Sequence, residues 1–272
     1  MLCTIHCFCA KNKDKDDLAK HGKMESKLLW RFIPDRFCSF NILHSFNLSL
    51  SLQRQKAIKV MSESKKRVFL DFDYTLYDTD AMMVSVQKDM ENLGADLPTI
   101  IGVQNQLCDE GYSFERHLEL LGFSLEIVTQ RSDQYRKMLN DGDRFLYAGV
   151  RSGMENLVQI AECHLLTFGY PPYQKHKVDG VLALRDAFAV QHYVWRDKSK
   201  GDVIGQYTDD VDTYFLDDKI DHIQDVMQKA PQVKCVRIDW LNDEAKILAN
   251  DNPCGVVTSF VEFVTMVKGG RS

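Results

Sequence analysis

The apolar run Val68-Phe69-Leu70 ends in two carboxylates, Asp71-Phe72-Asp73, followed by Tyr74 and Thr75. In an extended chain, residues i and i+2 point to the same side, so both acids can be aimed into one crevice. Such a pair divides labour. One oxygen attacks phosphorus while the other carboxyl handles the leaving group's proton. The bland alternative, Asp71 capping a loop and Asp73 solvated, fits poorly with two acids directly after an all-apolar strand. A second pair, Asp217-Asp218, closes the apolar run Tyr214-Phe215-Leu216, and Asp221 lies four residues after Asp217. Thr167 closes a third run, Cys163-His164-Leu165-Leu166.

The elements that must position these groups are read from hydrophobic period and punctuation. The run before Asp71 is a buried strand. Asp80 is expected to cap a helix over Ala81–Leu93, with Gly94 as its stop. Residues from Pro98 to Leu139 read as further amphipathic helices, and Arg151–Ile160 as another. Strand Cys163–Thr167 is then followed by a helix from about Gln174 to Phe188 and a strand over His192–Trp195. A helix near Gly201–Tyr207, strand Tyr214–Leu216, a helix over Ile220–Lys229, strand Lys234–Ile238 and the pair Val256-Val257 before a last helix complete the chain. Strands alternating with helices predict an α/β fold, a Rossmann-like three-layer parallel sheet core. The helical stretch between the first two strands is too long for one crossover. It is expected to be an inserted α-helical cap over residues 79–148, leaving 66–78 and 149–268 as core.

Residues 1–60 read differently. They hold 11 Lys and Arg against 5 Asp and Glu, whereas the remainder holds 23 against 34. They have neither the short basic start and apolar core of a secretory signal nor the acid-poor composition of a mitochondrial one. Met61-Ser62-Glu63-Ser64 resembles an ordinary protein start just before the first strand, so 1–60 is expected to be an extension, disordered or not native. Its cluster Cys3, His6, Cys7 and Cys9 lacks the paired spacing of zinc modules. The widely spaced Cys163 and Cys235 lie in apolar runs, as buried thiols of a reducing, cytoplasmic compartment do. A net charge of −5 argues against a nucleic-acid partner held by phosphate contacts. No apolar run is long enough to span a membrane.

Asp71-Phe72-Asp73-Tyr74-Thr75 resembles the D-x-D-x-T first motif of the haloacid dehalogenase superfamily of phosphohydrolases. Leu76-Tyr77-Asp78-Thr79 is similar to members with a helical cap inserted after that motif. Cys163–Thr167 resembles the second motif, Lys200-Gly201 the third (with Lys198 as alternative), and Tyr214-Phe215-Leu216-Asp217-Asp218 the fourth. Lys175 and Lys177 are read as the surface of the helix after motif two. The resemblance covers residues 66–268. It implies Asp71 as nucleophile, Asp73 as acid and base, and Thr167 with Lys200 holding the phosphoryl oxygens. Asp71, Asp73 through its backbone carbonyl, Asp217 and Asp218 would bind the metal. Asp218 is favoured as direct ligand, Asp217 is close by and Asp221 supports. Hard oxygens suit Mg²⁺ rather than zinc.

The expectation is therefore a Mg²⁺-dependent phosphatase of a small phosphorylated metabolite, working through an aspartyl-phosphate. A phosphomutase of the same superfamily and a non-catalytic phosphometabolite-binding protein are the rivals. Dehalogenation is disfavoured because those relatives lack the second motif-one Asp. The cap cations Arg116, His117, Arg131, Arg136 and Lys137 read as a solvated face from which any one could meet a second anionic group. No oligomeric state is assigned.

Overall fold

A computed structural model describes residues 66–240 and 255–269. The readings of 1–60, the Cys3–Cys9 cluster included, fall outside the described residues. Six strands, β1 (Lys66–Leu70), β2 (Glu162–Phe168), β3 (Val190–Val194), β4 (Asp212–Asp217), β5 (Lys234–Ile238) and β6 (Gly255–Val257), form one sheet in the order β3-β2-β1-β4-β5-β6. Every pairing is parallel. This is a doubly wound α/β sheet whose strand order reverses between β1 and β4, the place where such sheets open a crevice at their carboxyl ends.

Alternation along the strands builds two cores. Val68 and Leu70 of β1 face one side with Leu165, Leu216 and Val236, against α5 (Val150–Leu157) and α9 (Phe260–Lys268). Phe69 faces the other with Leu166 and Phe215, under α7 (Lys200–Ile204) and α8 (Ile220–Lys229). Both faces are covered, which is why the strands read as continuous apolar runs. The helix after β2, α6 (Pro171–Asp179), starts earlier than its periodicity suggested. Pro171 and Pro172 occupy its first turn, where a missing N–H is harmless.

Between β1 and α5 the chain inserts four α-helices: α1 (Thr79–Asn92), α2 (Leu97–Glu110), α3 (Phe114–Leu120) and α4 (Leu125–Leu139). Its entry and exit run side by side, with Tyr77 bridged to Leu146 and Asp78 N–H donating to the Phe145 carbonyl at 2.7 Å. Asp78, not the expected Asp80, caps α1 by accepting from the Ala81 N–H at 2.9 Å. The helix begins at Thr79, so Asp80 already lies in its first turn, where its carboxylate accepts from the Tyr74 hydroxyl at 3.0 Å.

Of the cations read as a solvated face of this insertion, most pair within the insertion itself. Arg116 pairs with Glu119, Arg131 with Asp89, and Arg136 with Glu115 and Asp133. Lys137 is exposed. His117 is fully buried, its Nε2–H donating to the Ile100 carbonyl and its Nδ1 accepting from the Tyr112 hydroxyl, both at 3.0 Å. Burial depresses the basicity of His117, as it does for His164 and His192. At these three side chains the unfolded state therefore binds more protons than the folded one below about pH 6.5. Their contribution to stability should fall as pH drops through that value. His117→Gln should flatten the fall by its share, measured as the midpoint of urea unfolding between pH 7 and 5.

Candidate active site

The sheet places Asp71 and Asp217 side by side at its reversal point. Leu70 is in register with Leu216, and the Asp71 N–H extends the ladder to the Leu216 carbonyl at 3.0 Å. Asp217 is fully buried and Asp71 nearly so. Between them lies the ammonium of Lys200, 2.6 Å from Asp71 Oδ1 and 2.6 Å from Asp217 Oδ2. Lys200 is itself buried, at 1 % exposure. Its helix is set by a capping box between Ser199 and Asp202 and anchored by buried Val203 and Ile204. At Gly201 an added Cβ would lie 2.7 Å from Asp225 Oδ2, so only glycine lets α7 press onto α8. Lys198, in the turn before α7, is exposed.

After Asp71 the chain turns sharply. Tyr74 sits in the left-handed region at φ 60°, and its N–H returns to the Tyr77 carbonyl at 2.9 Å. Thr75 donates toward Asp71 Oδ2 at 3.4 Å. Asp73 is aimed into a three-donor grip: the Lys177 ammonium and the Thr79 hydroxyl (2.5 Å) on Oδ1, the Gln174 amide (2.7 Å) on Oδ2. These donors outweigh burial and keep Asp73 below its usual carboxylate range. The expectation that Lys177 is surface is therefore wrong. Lys177 is 2 % exposed, and its ammonium lies 5.0 Å from the Tyr173 ring centroid. Lys175, the other half of that expectation, is exposed and paired with Asp179. Gln174 and Lys177, three apart on α6, share the face that looks back at motif one. That spacing was the signal available for them. Gly169, at φ 147°, lets α6 fold over the end of β2, since a Cβ there would sit 2.9 Å from Gln174 Cγ.

Among the described residues, one carboxylate oxygen each from Asp71, Asp217 and Asp218 lie within 4.8 Å of one another. Burial, then the neighbouring carboxylates, pushes Asp218 up to about 7 and Asp71 up to about 6, with Lys200 opposing. Asp218 Oδ1 and Thr167 Oγ1 are buried with no hydrogen-bond partner. Asp217 spends its oxygens on Lys200, the Lys219 N–H (2.8 Å) and His222 Nδ1 (3.1 Å). Asp221, expected to support the metal, is instead exposed at the start of α8, on the turn leading away from the cluster. Four carboxylates, with Asp73 included, face two buried lysines. The deficit and the hard-oxygen donor set fit a divalent cation such as Mg²⁺. A cavity of about 330 Å³ opens beside Asp71 and Asp73, walled by the insertion on one side and the ends of β2, β3 and β4 on the other.

No protein-family model and no curated protein matches the chain by sequence. Solved structures do match. A haloacid dehalogenase-like hydrolase from Burkholderia xenovorans covers 74% of this chain and 98% of its own, with 16% identity and a TM-score of 0.57. The L-2-haloacid dehalogenase of Xanthobacter autotrophicus, with chloropropionic acid covalently bound, covers 76% and 99%, with 15% identity and a TM-score of 0.52. The chain has the haloacid dehalogenase-like fold. A hydrolase of that fold from Bacillus subtilis, bound to magnesium, is similar at 14% identity and a TM-score of 0.51, over 75% of this chain and 98% of that one. Within the haloacid dehalogenase-like fold, the motif residues Asp71, Asp73, Thr167, Lys200, Asp217 and Asp218 stand at the carboxyl ends of β1, β2 and β4 or on the turn entering α7.

Proposed function

We propose that the chain is a Mg²⁺-dependent phosphatase that forms an aspartyl-phosphate on Asp71. The observation that carries this reading is the paired deficit at the strand ends: a buried carboxylate oxygen on Asp218 and a buried hydroxyl on Thr167, both unpartnered, on either side of the Asp71–Lys200 pair. One calls for a cation and the other for an acceptor such as a phosphoryl oxygen. Asp71, Asp218 and the Asp73 carbonyl would hold Mg²⁺, with Asp217 adjoining. When bound, the ion cancels repulsion between the carboxylate nucleophile and an anionic phosphate.

In the first step an Asp71 oxygen bonds to phosphorus and the ester P–O bond breaks. The departing oxygen takes a proton through Asp73, which must gain that proton as substrate binds because the free site holds it as a carboxylate. In the second step water bonds to phosphorus, its proton passes to Asp73, and the bond to Asp71 breaks to release inorganic phosphate. Asp73 is held as a carboxylate, the form that the second step needs. Thr167 and Lys200 hold the equatorial oxygens as charge moves.

The test is phosphate release from a panel of phosphomonoesters with Mg²⁺, run beside chloride release from 2-chloropropionate. Phosphate release abolished by EDTA and restored by Mg²⁺ is expected. Asp218→Ala should mimic the chelator, lowering kcat/KM about 10²-fold or more by loss of charge stabilisation. Halide release without phosphate release would overturn the reading, as would full activity in EDTA.

A further inference from the structure

The cavity beside Asp71 and Asp73 offers little to a second anion. None of the residues that line it is an arginine, and the arginines of the insertion are bound to its own acids. Of the lysines lining it, Lys177 is held by Asp73, which leaves the exposed Lys219 just beyond β4. His222 is engaged by Asp217.

Rings line it instead. Phe168 lies 5.7 Å from Trp195 between centroids, and Tyr170 lies 6.3 Å from the same indole. Phe168 and Tyr170 remain 39 % and 38 % exposed, although each flanks Gly169 directly after the buried motif-two strand. Deeper in, Tyr112 and Tyr173 pack at 4.9 Å. The Tyr173 hydroxyl and Gln174 Oε1 are buried there without partners, and Gln174 is 94 % buried by its 6 % exposure. The wall thus offers flat apolar faces to the cavity. A small carboxylic acid would leave those faces wet, and a sugar, with no flat π face, would cover them less completely than an aromatic ring does.

We propose that the leaving group carries a neutral planar aromatic or heteroaromatic ring, stacked among Phe168, Tyr170 and Trp195. This rests on the phosphatase reading and narrows its substrate class. A cavity of about 330 Å³ suits a ring joined to a phosphate by a short linker. A nucleobase and a pyridine ring share this chemistry.

The experiment measures kcat/KM of the full chain with Mg²⁺ on uridine 5′-monophosphate, adenosine 5′-monophosphate and pyridoxal 5′-phosphate, against ribose 5-phosphate and phosphoglycolate. At least one ring-bearing ester should exceed both ring-free ones about tenfold or more, the scale of one stacking contact. The favoured ring-bearing arm then identifies nucleobase or pyridine as the source. Trp195→Leu and Phe168→Leu, checked for folding by circular dichroism, should shrink that ratio to about two- or threefold through KM, as loss of one stack does. Ribose 5-phosphate or phosphoglycolate matching every ring-bearing ester would overturn the inference and leave the phosphatase reading standing. A ratio unchanged in both variants would do the same. Hydrolysis of none of the five would overturn both.

Discussion

Asp71→Asn should abolish phosphate release, by about 10⁴-fold or more in kcat, the scale seen when a covalent nucleophile is removed. Asparagine keeps the size and the backbone N–H that bonds Leu216, but it lacks the anion that bonds to phosphorus. The fold should survive, because the charge removed is an unwelcome one. Burial and the charge of Asp217 raise Asp71 above its ordinary range, and Lys200 only partly offsets them. In EDTA the variant should therefore melt no lower than the parent. Added Mg²⁺ should raise its Tm less than it raises the parent's, since ligand-linked stabilisation grows with affinity and one donor has lost its charge. Near-normal phosphate release from Asp71→Asn would remove the covalent mechanism. A collapse of Tm in EDTA would instead show that the charge was structural.

The contrast between what could be read in the chain and what could not lies in how far each interaction reaches. β1, β2, β4 and β5 are largely apolar runs buried on both faces, and the ends of the first three coincide with motif residues, so composition marks them. Lys177 lacks such a local mark. It is a lysine two residues from an exposed one, and its burial depends on Asp73, 104 positions earlier. His117 is buried by nearer partners, Ile100 on α2 and Tyr112 in the loop before α3, which meet it only once the insertion's helices pack. Asp80 for Asp78 is a smaller miss of another kind. Either residue can cap, and the choice is made by Phe145 holding the Asp78 N–H from the far side of the insertion. Tertiary pairing decides each case, and a single sequence does not carry it.

Lys200 and Lys198 provide the sharper test of the site, because they are two residues apart and only one is buried. Lys200→Ala should lower kcat/KM about 10²-fold or more, comparable to the loss of one transition-state donor. It should also destabilise the folded chain by about 3–5 kcal/mol at neutral pH, because it strands buried charge. Asp217, fully buried, would retain His222 and the Lys219 N–H but lose the ammonium 2.6 Å away. In the parent, Lys200 is the main influence holding Asp217 below its ordinary carboxylate range against burial. That pairing contributes stability above the unfolded carboxylate value and loses it as pH falls through the folded one. The stability gap between parent and variant should accordingly narrow on strong acidification, below about pH 4, measured by urea unfolding at pH 7 and pH 3. Lys198→Ala, at an exposed turn position, should change kcat/KM by no more than about threefold and leave Tm within a degree or so, as surface substitutions do. Lys200→Met, which keeps the buried stem, should recover part of the stability and none of the activity. If Lys198→Ala proved the damaging variant, the motif-three role would move to it. Two mild effects would shift the phosphoryl cation to Lys177, the other buried ammonium beside the motif-one acids.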